Sequence, residues 1–157
     1  MNILLLHWGL FSFMLGLLLS LPLAAVHYQH SPDWTKIFTN PRKLKSAHLD
    51  FFTQSFAAAL VYLIEHALQT AFPMFVVIPL LFATVCNPLL LLIEATPLNR
   101  DGLGKQLYLV LRATSLLALL FAWFYIAWVL LPASLIILLA FCAAAGAALI
   151  LSYKPKG

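Results

Sequence analysis

The sequence predicts an all-α, polytopic transmembrane helical bundle with five spans, on three observations. Of its 157 residues, 64% are hydrophobic and only 9% are charged, a composition outside the range of soluble domains. The apolar residues form stretches of about 20 residues or more, enough to cross about 30 Å of hydrocarbon. The basic residues lie between these stretches, as membrane topology requires. The net charge of +4 therefore reflects topology, and we expect no nucleic-acid partner.

The first span extends from about residue 3 to residue 26. It lacks the positive n-region of a signal peptide and is too long for a simple h-region, so we interpret it as a mature helix. Its small residues Gly9, Ser12, Gly16 and Ser20 fall on one helical stripe. Such a stripe predicts close approach of another helix.

The second and third spans follow a polar connector, residues 27–45. The second span covers residues 46–68, with Ser46 as its expected N-cap, and the third covers residues 73–95. Only a few residues separate them. We therefore expect the two spans to form an antiparallel hairpin.

The apolar segment 106–153 is about twice the length that one crossing needs. Pro132 predicts a tight turn inside it, which gives a fourth span over residues 106–130 and a fifth over residues 133–153. The fifth span is rich in alanine. Like the first, it is expected to be a close-packing surface.

The distribution of positive charge favours five spans over the alternative of four. With five spans and the N-terminus outside, every basic residue and the C-terminus lie on the cytoplasmic face, in agreement with the positive-inside rule. These residues are Lys36, Arg42, Lys43, Lys45, Arg100, Lys105, Arg112, Lys154 and Lys156. The prediction is a single transmembrane helical domain, residues 1–157.

Polar side chains in the second span are the first candidates for a functional site, because such groups are costly at membrane depth. At about 100° per residue they form two stripes. One holds His48, Phe52, Ser55, Tyr62 and His66, and the other holds Asp50, Gln54 and Glu65. At least one stripe must face other helices, another subunit or a water-filled cavity. In a second interpretation, Asp50 and Glu65 lie near the span ends and reach headgroups and water.

His48 is the central candidate. It lies just inside the cytoplasmic boundary, where a neutral imidazole can bind a metal or haem iron from within the bundle. The alternative is an interfacial histidine that caps the helix or contacts a headgroup.

Two further sites lie on the third and fourth spans. Glu94 and Arg112 flank the third connector at similar depth, and we interpret them as an interhelical ion pair. Pro88 frees a backbone carbonyl inside the third span. We therefore expect the neighbouring amide of Asn87 to line a pocket.

Three segments carry a resemblance to one family. NPRKLKSAHLDFFTQSF opens a helix with a small residue, alanine and histidine, LHWGLFSFMLGLLLSL has an early histidine and spaced glycines, and VCNPLLLLIEA surrounds a polar asparagine. In these features the chain resembles small bacterial membrane isomerases of the hydroxylaminobenzene mutase and styrene oxide isomerase group. It differs in having Gln54 and Ser55 where the family has an Asn-Gly pair, Pro88 where an aromatic often stands, and a fifth span.

The resemblance implies an isomerase, an intramolecular oxidoreductase or mutase, in the bacterial inner (plasma) membrane. It implies a small hydrophobic aromatic substrate and a homo-oligomer such as a trimer, with haem b between subunits and His48 as the axial metal ligand. The iron would act as a Lewis acid on an epoxide oxygen, giving a carbonyl product without net redox change. Gln54 and Asn87 would orient that oxygen or stabilise its charge, and Tyr108 is a further candidate.

Two other function classes stay open. A transmembrane b-type haem electron carrier would use His27 and His48 near the cytoplasmic side and His7 and His66 near the outer side as two bis-histidine pairs. A haem-free transporter or assembly subunit would use the polar stripes only to hold helices together. Five spans leave little room for a solute pathway in one copy, although oligomerisation would remove that objection.

Overall fold

The computed structural model describes residues 1–29, 31–97 and 102–152, and this part of the chain is α-helical. The helices are α1 (Ile3–His27), α2 (Pro32–Ile37), α3 (Pro41–Leu68), α4 (Met74–Ala95), α5 (Gly102–Leu130) and α6 (Ala133–Ser152). All but α2 are long and apolar enough to cross a membrane. The predicted all-α, five-span, multi-pass membrane fold is confirmed.

The predicted orientation depends partly on residues outside the described ranges. Arg100 in the third connector, and Lys154 and Lys156 in the C-terminal tail, belong to this group. The placement of the N-terminus outside and the C-terminus in the cytoplasm therefore stays a prediction.

The chain divides into two compact units, residues 1–122 and 123–157. In the second unit the helix break around Pro132 is where it was predicted, since α5 ends at Leu130 and α6 begins at Ala133. No residue of α6 is buried, and Gly146 has open space around it. The close packing predicted for this alanine-rich helix stays a prediction. The single-domain interpretation stays a prediction.

Helix α3 begins earlier than predicted. Asn40 is the N-cap, its side chain accepting the backbone N–H of Lys43 at 3.3 Å, and Pro41 occupies the first turn. Ser46 lies inside the helix and donates to the Arg42 carbonyl at 3.0 Å, so its assignment as N-cap is wrong. The reason is that Asn-Pro is itself a helix-start signal, and a helix can begin in the polar interface before its apolar part.

The connector before α3 contains a short helix that the apolar pattern did not reveal. Ser31 precedes Pro32 in the first turn of α2, and Asp33 follows. This order of residues is a known start signal, with proline at the first helical position and an acid in the first turn. This start signal could have predicted α2 from the sequence.

Small residues of α1 set the contact between α1 and α3. Gly9, Ser12 and Gly16 are buried as predicted, and a Cβ on Gly9 would lie 3.1 Å from the carbonyl oxygen of Ser55. Ser20 is exposed instead, and its hydroxyl donates to the Leu17 carbonyl of its own helix at 2.5 Å. Helices α1 and α3 are thus held at close range.

Helices α3 and α4 form the predicted hairpin. They pack extensively against each other and are joined by the short segment 69–73. The chain leaves α3 at Gln69, which has a left-handed backbone with φ 53°. The three-helix core of α1, α3 and α4 places the side chains of the candidate site.

Candidate functional site

A polar cavity of about 400 Å³ lies within residues 1–122, between α3, α4 and α5. Its lining combines charged and amide side chains with three leucines: Lys43, Asp50, Gln54, Asn87, Leu90, Leu91, Glu94, Arg112 and Leu116. Polar groups at membrane depth that face a cavity indicate a functional site by default. We call this the polar cavity.

The polar cavity has two ends. Lys43 and Asp50 are separated by seven residues on α3, as are Asn87 and Glu94 on α4, which is about 10 Å along each helix axis. Lys43 and Glu94 form an ion pair, so they lie at the same level. Because the helices are antiparallel, Asp50 and Asn87 meet about two turns deeper. A charged end therefore leads to an inner end of one carboxylate and two amides.

At the inner end, the Gln54 amide is buried and donates its Nε2–H to Asp50 at 3.3 Å. Asn87 is half-buried and lines the cavity, which confirms the pocket predicted beside Pro88. Asp50 has no ion-pair partner in the described part of the chain. Asp50 lines the cavity, and its interpretation as a residue that reaches headgroups and water stays a prediction.

At the charged end, Glu94 holds three elements together. It pairs with Lys43 of α3 and accepts the hydroxyl of Tyr108 from α5, while Arg112 donates to that hydroxyl at 3.3 Å. The predicted Glu94–Arg112 ion pair is therefore wrong. The early start of α3 brings Lys43 beside the end of α4, where it takes the place expected for Arg112.

Tyr108 lies at the edge of the polar cavity. Its ring is 8% exposed and packs with Cys86 and Leu90. Its hydroxyl is engaged by Glu94, so it reaches the cavity only through that carboxylate. The geometry gives Tyr108 a positioning role for Glu94.

His48 lies outside the polar cavity. On α3 it is about 200° from Asp50 and about 240° from Gln54, and it faces α1. Its Nδ1 is 2.9 Å from the Gly16 carbonyl oxygen, and since a carbonyl only accepts, Nδ1 carries the proton. The ring also stands edge-on to Phe52, with centroids 4.9 Å apart. His48 does not cap α3, which begins at Pro41.

If this chain binds haem, His48 is the residue that would hold the iron. Metal-binding histidines commonly donate one ring N–H to a carbonyl, which fixes the ring and leaves the other nitrogen for the metal. The hydrogen bond from Nδ1 of His48 to the Gly16 carbonyl leaves Nε2 available for a metal. Among the described residues there is no group of three or more histidine, cysteine or acidic side chains that could hold a metal ion, but haem needs only one axial ligand from this chain.

The other histidines are placed differently. His7, His27 and His66 are all exposed. Their pairing in two bis-histidine haem sites stays a prediction.

Glu65 does not belong with Asp50 and Gln54. It is fully buried and accepts the backbone N–H of Asn2 at 2.5 Å, the side-chain N–H of Asn2 at 2.6 Å and the backbone N–H of Phe72 at 2.8 Å. Its interpretation as a residue that reaches headgroups is wrong. Glu65 ties the start of α1 to the α3–α4 turn and has a structural role.

Lys43 lines the polar cavity but was not among the predicted site residues, whereas Asp50 was placed on the polar stripe with Gln54. The signal for Lys43 was present in the sequence, because positions 43, 50 and 54 of one helix share a face. That pattern includes Lys43 only once α3 is known to begin at Pro41.

The chain matches no protein-family model, no curated protein and no solved structure. Its function is therefore inferred from the residues of the site.

Proposed function

We propose that this chain is an integral membrane isomerase that rearranges a small aromatic substrate in the polar cavity and binds haem b through His48. One observation carries the proposal. Gln54 and Asn87, to which the resemblance gives the role of orienting a substrate oxygen, lie on different helices and line the inner end of one cavity.

The cavity suits such a substrate in size and chemistry. Its volume of about 400 Å³ is within the range of small-molecule sites, which are mainly apolar with a few directed polar groups. Leu90, Leu91 and Leu116 offer apolar surface for an aromatic ring. The amides of Gln54 and Asn87 can donate to an oxygen on which negative charge develops.

Asp50 holds the Gln54 amide in place through a hydrogen bond. By accepting from Gln54 Nε2 at 3.3 Å, it fixes which way that side chain points. The remaining donor of the Gln54 amide is then free for substrate. Asp50 thus acts as a positioning residue.

His48 is the residue that would hold haem. The hydrogen bond from Nδ1 to Gly16 fixes the ring and would leave Nε2 to hold the iron. When bound, haem iron supplies a Lewis acid suited to an epoxide oxygen. Because His48 and the polar cavity lie on opposite sides of α3, one chain does not present both to one substrate. The proposal therefore requires a homo-oligomer, such as the trimer implied by the resemblance, with the His48 side of one copy next to the cavity of another.

The same resemblance supports the bacterial inner membrane as the location. The Lys43 end of the cavity is then the cytoplasmic end, because the basic residues predict that face. The membrane itself would supply a hydrophobic aromatic substrate.

The first test is an absorption spectrum of the protein in mild detergent, as isolated and after dithionite. We expect a Soret band that His48→Ala removes and His66→Ala retains, since His66 is an exposed histidine on the same helix. A band reduced by about half in each variant would instead support the bis-histidine electron carrier, because each substitution would remove one of its two haems. Absence of the band, even after haem is added back, would refute the haem assignment.

The second test measures conversion of styrene oxide to phenylacetaldehyde by gas chromatography. We expect Gln54→Ala and Asn87→Ala each to lower kcat by about 10²-fold, the effect of losing one donor to a developing oxyanion. Their Soret band should be unchanged. Gln106→Ala, an exposed amide on α5 that does not line the cavity, is the control. Full activity in both cavity variants would contradict the assignment of the polar cavity.

A further inference from the structure

A second cavity, of about 280 Å³, lies where α1 ends and α3 begins. Its lining is Leu23, His27, Tyr28 and Lys45. It shares no residue with the polar cavity, and no carboxylate lines it. The lining therefore offers an ammonium group, an imidazole and a phenol around one apolar side chain.

Some lysines near this cavity have an acidic partner and others do not. Lys36 lies 3.7 Å from Asp33, and Lys43 pairs with Glu94. Lys45 is exposed and forms no ion pair with the described residues. Of the charged side chains here, it is the one that lines the second cavity without a counter-charge.

The second cavity lies at headgroup depth. It is formed by the polar ends of two membrane-spanning helices, and the neighbouring aromatics Tyr28 and Trp34 are exposed, as in the aromatic belt of a membrane interface. Leu23 is one helical turn before His27, or about 6 Å further into the hydrocarbon. A ligand here would meet cationic and hydrogen-bonding groups at one end and apolar surface at the other.

We propose that the second cavity binds the phosphate headgroup of an anionic phospholipid. Lys45 provides the counter-charge, His27 and Tyr28 provide hydrogen-bond donors, and Leu23 contacts the start of the acyl region. Basic pockets between transmembrane helices recognise headgroups in this way. A zwitterionic phospholipid presents the same phosphate but carries its own cation, so it gains less from Lys45. This site is independent of the proposed isomerase.

The test is native mass spectrometry of the full chain in mild detergent with equal amounts of phosphatidylglycerol and phosphatidylcholine of identical acyl chains. We expect the wild type to retain phosphatidylglycerol preferentially. Lys45→Gln should weaken that binding about fivefold, the contribution of one basic residue near an anionic surface. Lys36→Gln removes the same charge from the same interface outside the cavity and should leave binding unchanged, and Lys45→Arg should preserve it.

Three results would overturn the proposal. Equal weakening by Lys45→Gln and Lys36→Gln would show general attraction to positive charge rather than a site. No preference of the wild type for phosphatidylglycerol would exclude anionic recognition. Displacement of the lipid by millimolar inorganic phosphate would assign the cavity to the free anion instead.

Discussion

The buried carboxylate of Glu65 allows a sharp test of how this fold is held together. It accepts three N–H groups, two from Asn2 and one from Phe72, and no cation pairs with it in the described part of the chain. Asn2 also donates to the Phe72 carbonyl at 3.0 Å. Glu65→Gln keeps the shape of the side chain and changes only this bonding.

The expected cost follows from the two carboxylate oxygens. Oε1 accepts the Asn2 side chain and Phe72, and the amide oxygen of glutamine can keep both bonds. Oε2 accepts the Asn2 backbone, and there the amide would place an NH₂ group against an N–H. A hydrogen bond to a charged group contributes about 1.5–3 kcal/mol, so we expect Glu65→Gln to lower the free energy of unfolding by about 2 kcal/mol.

Glu65→Ala should cost more. It removes all three bonds, each of about 1.5 kcal/mol at the lower end, but Asn2 is only half-buried and can regain bonds to water. We expect about 3–4 kcal/mol. The matched control is His66→Gln, the neighbouring exposed position, with less than about 0.5 kcal/mol.

The assay is SDS-titrated unfolding from mild detergent, followed by far-ultraviolet circular dichroism. Hydrogen exchange resolved by peptide should be faster at the start of α1 and in the α3–α4 turn in Glu65→Gln than in the wild type. It should be unchanged there in His66→Gln. If Glu65→Gln and His66→Gln have equal stability and equal exchange, the clamp contributes nothing and the reasoning is refuted.

Two further predictions concern packing and charge. Gly9→Ala should lower the free energy of unfolding by about 1–3 kcal/mol, because its Cβ would meet the Ser55 carbonyl at 3.1 Å. The control Gly146→Ala, with no atom within 4 Å of the new Cβ, should be neutral or slightly stabilising in the same SDS titration. Equal effects of the two substitutions would contradict the close α1–α3 contact. A double-mutant cycle with Lys43→Gln and Glu94→Gln should give a coupling of about 1 kcal/mol, since the two side chains are 41% and 18% exposed, and zero coupling would show that the pair adds no stability.

The five spans could be predicted from the sequence because apolar length is read directly against membrane thickness. The predicted ends differ from the observed ones by one residue at most, except that α5 begins four residues and α3 five residues earlier than predicted. Helix α3 begins at Pro41, in polar sequence, where hydrophobicity gives no signal. The error hid Lys43 from the predicted site.

The candidate site was only partly predictable. The two polar stripes of α3 follow from helical periodicity, which fixes the angle between residues of one helix. Periodicity does not say which neighbour each stripe meets. His48, Gln54 and Asn87 were expected to act in one functional site. Instead, His48 bonds to Gly16 of α1, while the amides of Gln54 and Asn87 line a cavity between α3, α4 and α5.

The sequence by itself determined that this is a five-span helical membrane protein and that its second span carries the polar residues. Only the tertiary structure decided how those residues divide: His48 against α1, Asp50 and Gln54 toward the polar cavity, and Glu65 in a buried clamp. The physical reason is that spans form from local hydrophobicity and backbone hydrogen bonding within each helix. Side-chain partners are instead chosen by which helices can approach closely, and small residues far apart in the chain set that approach.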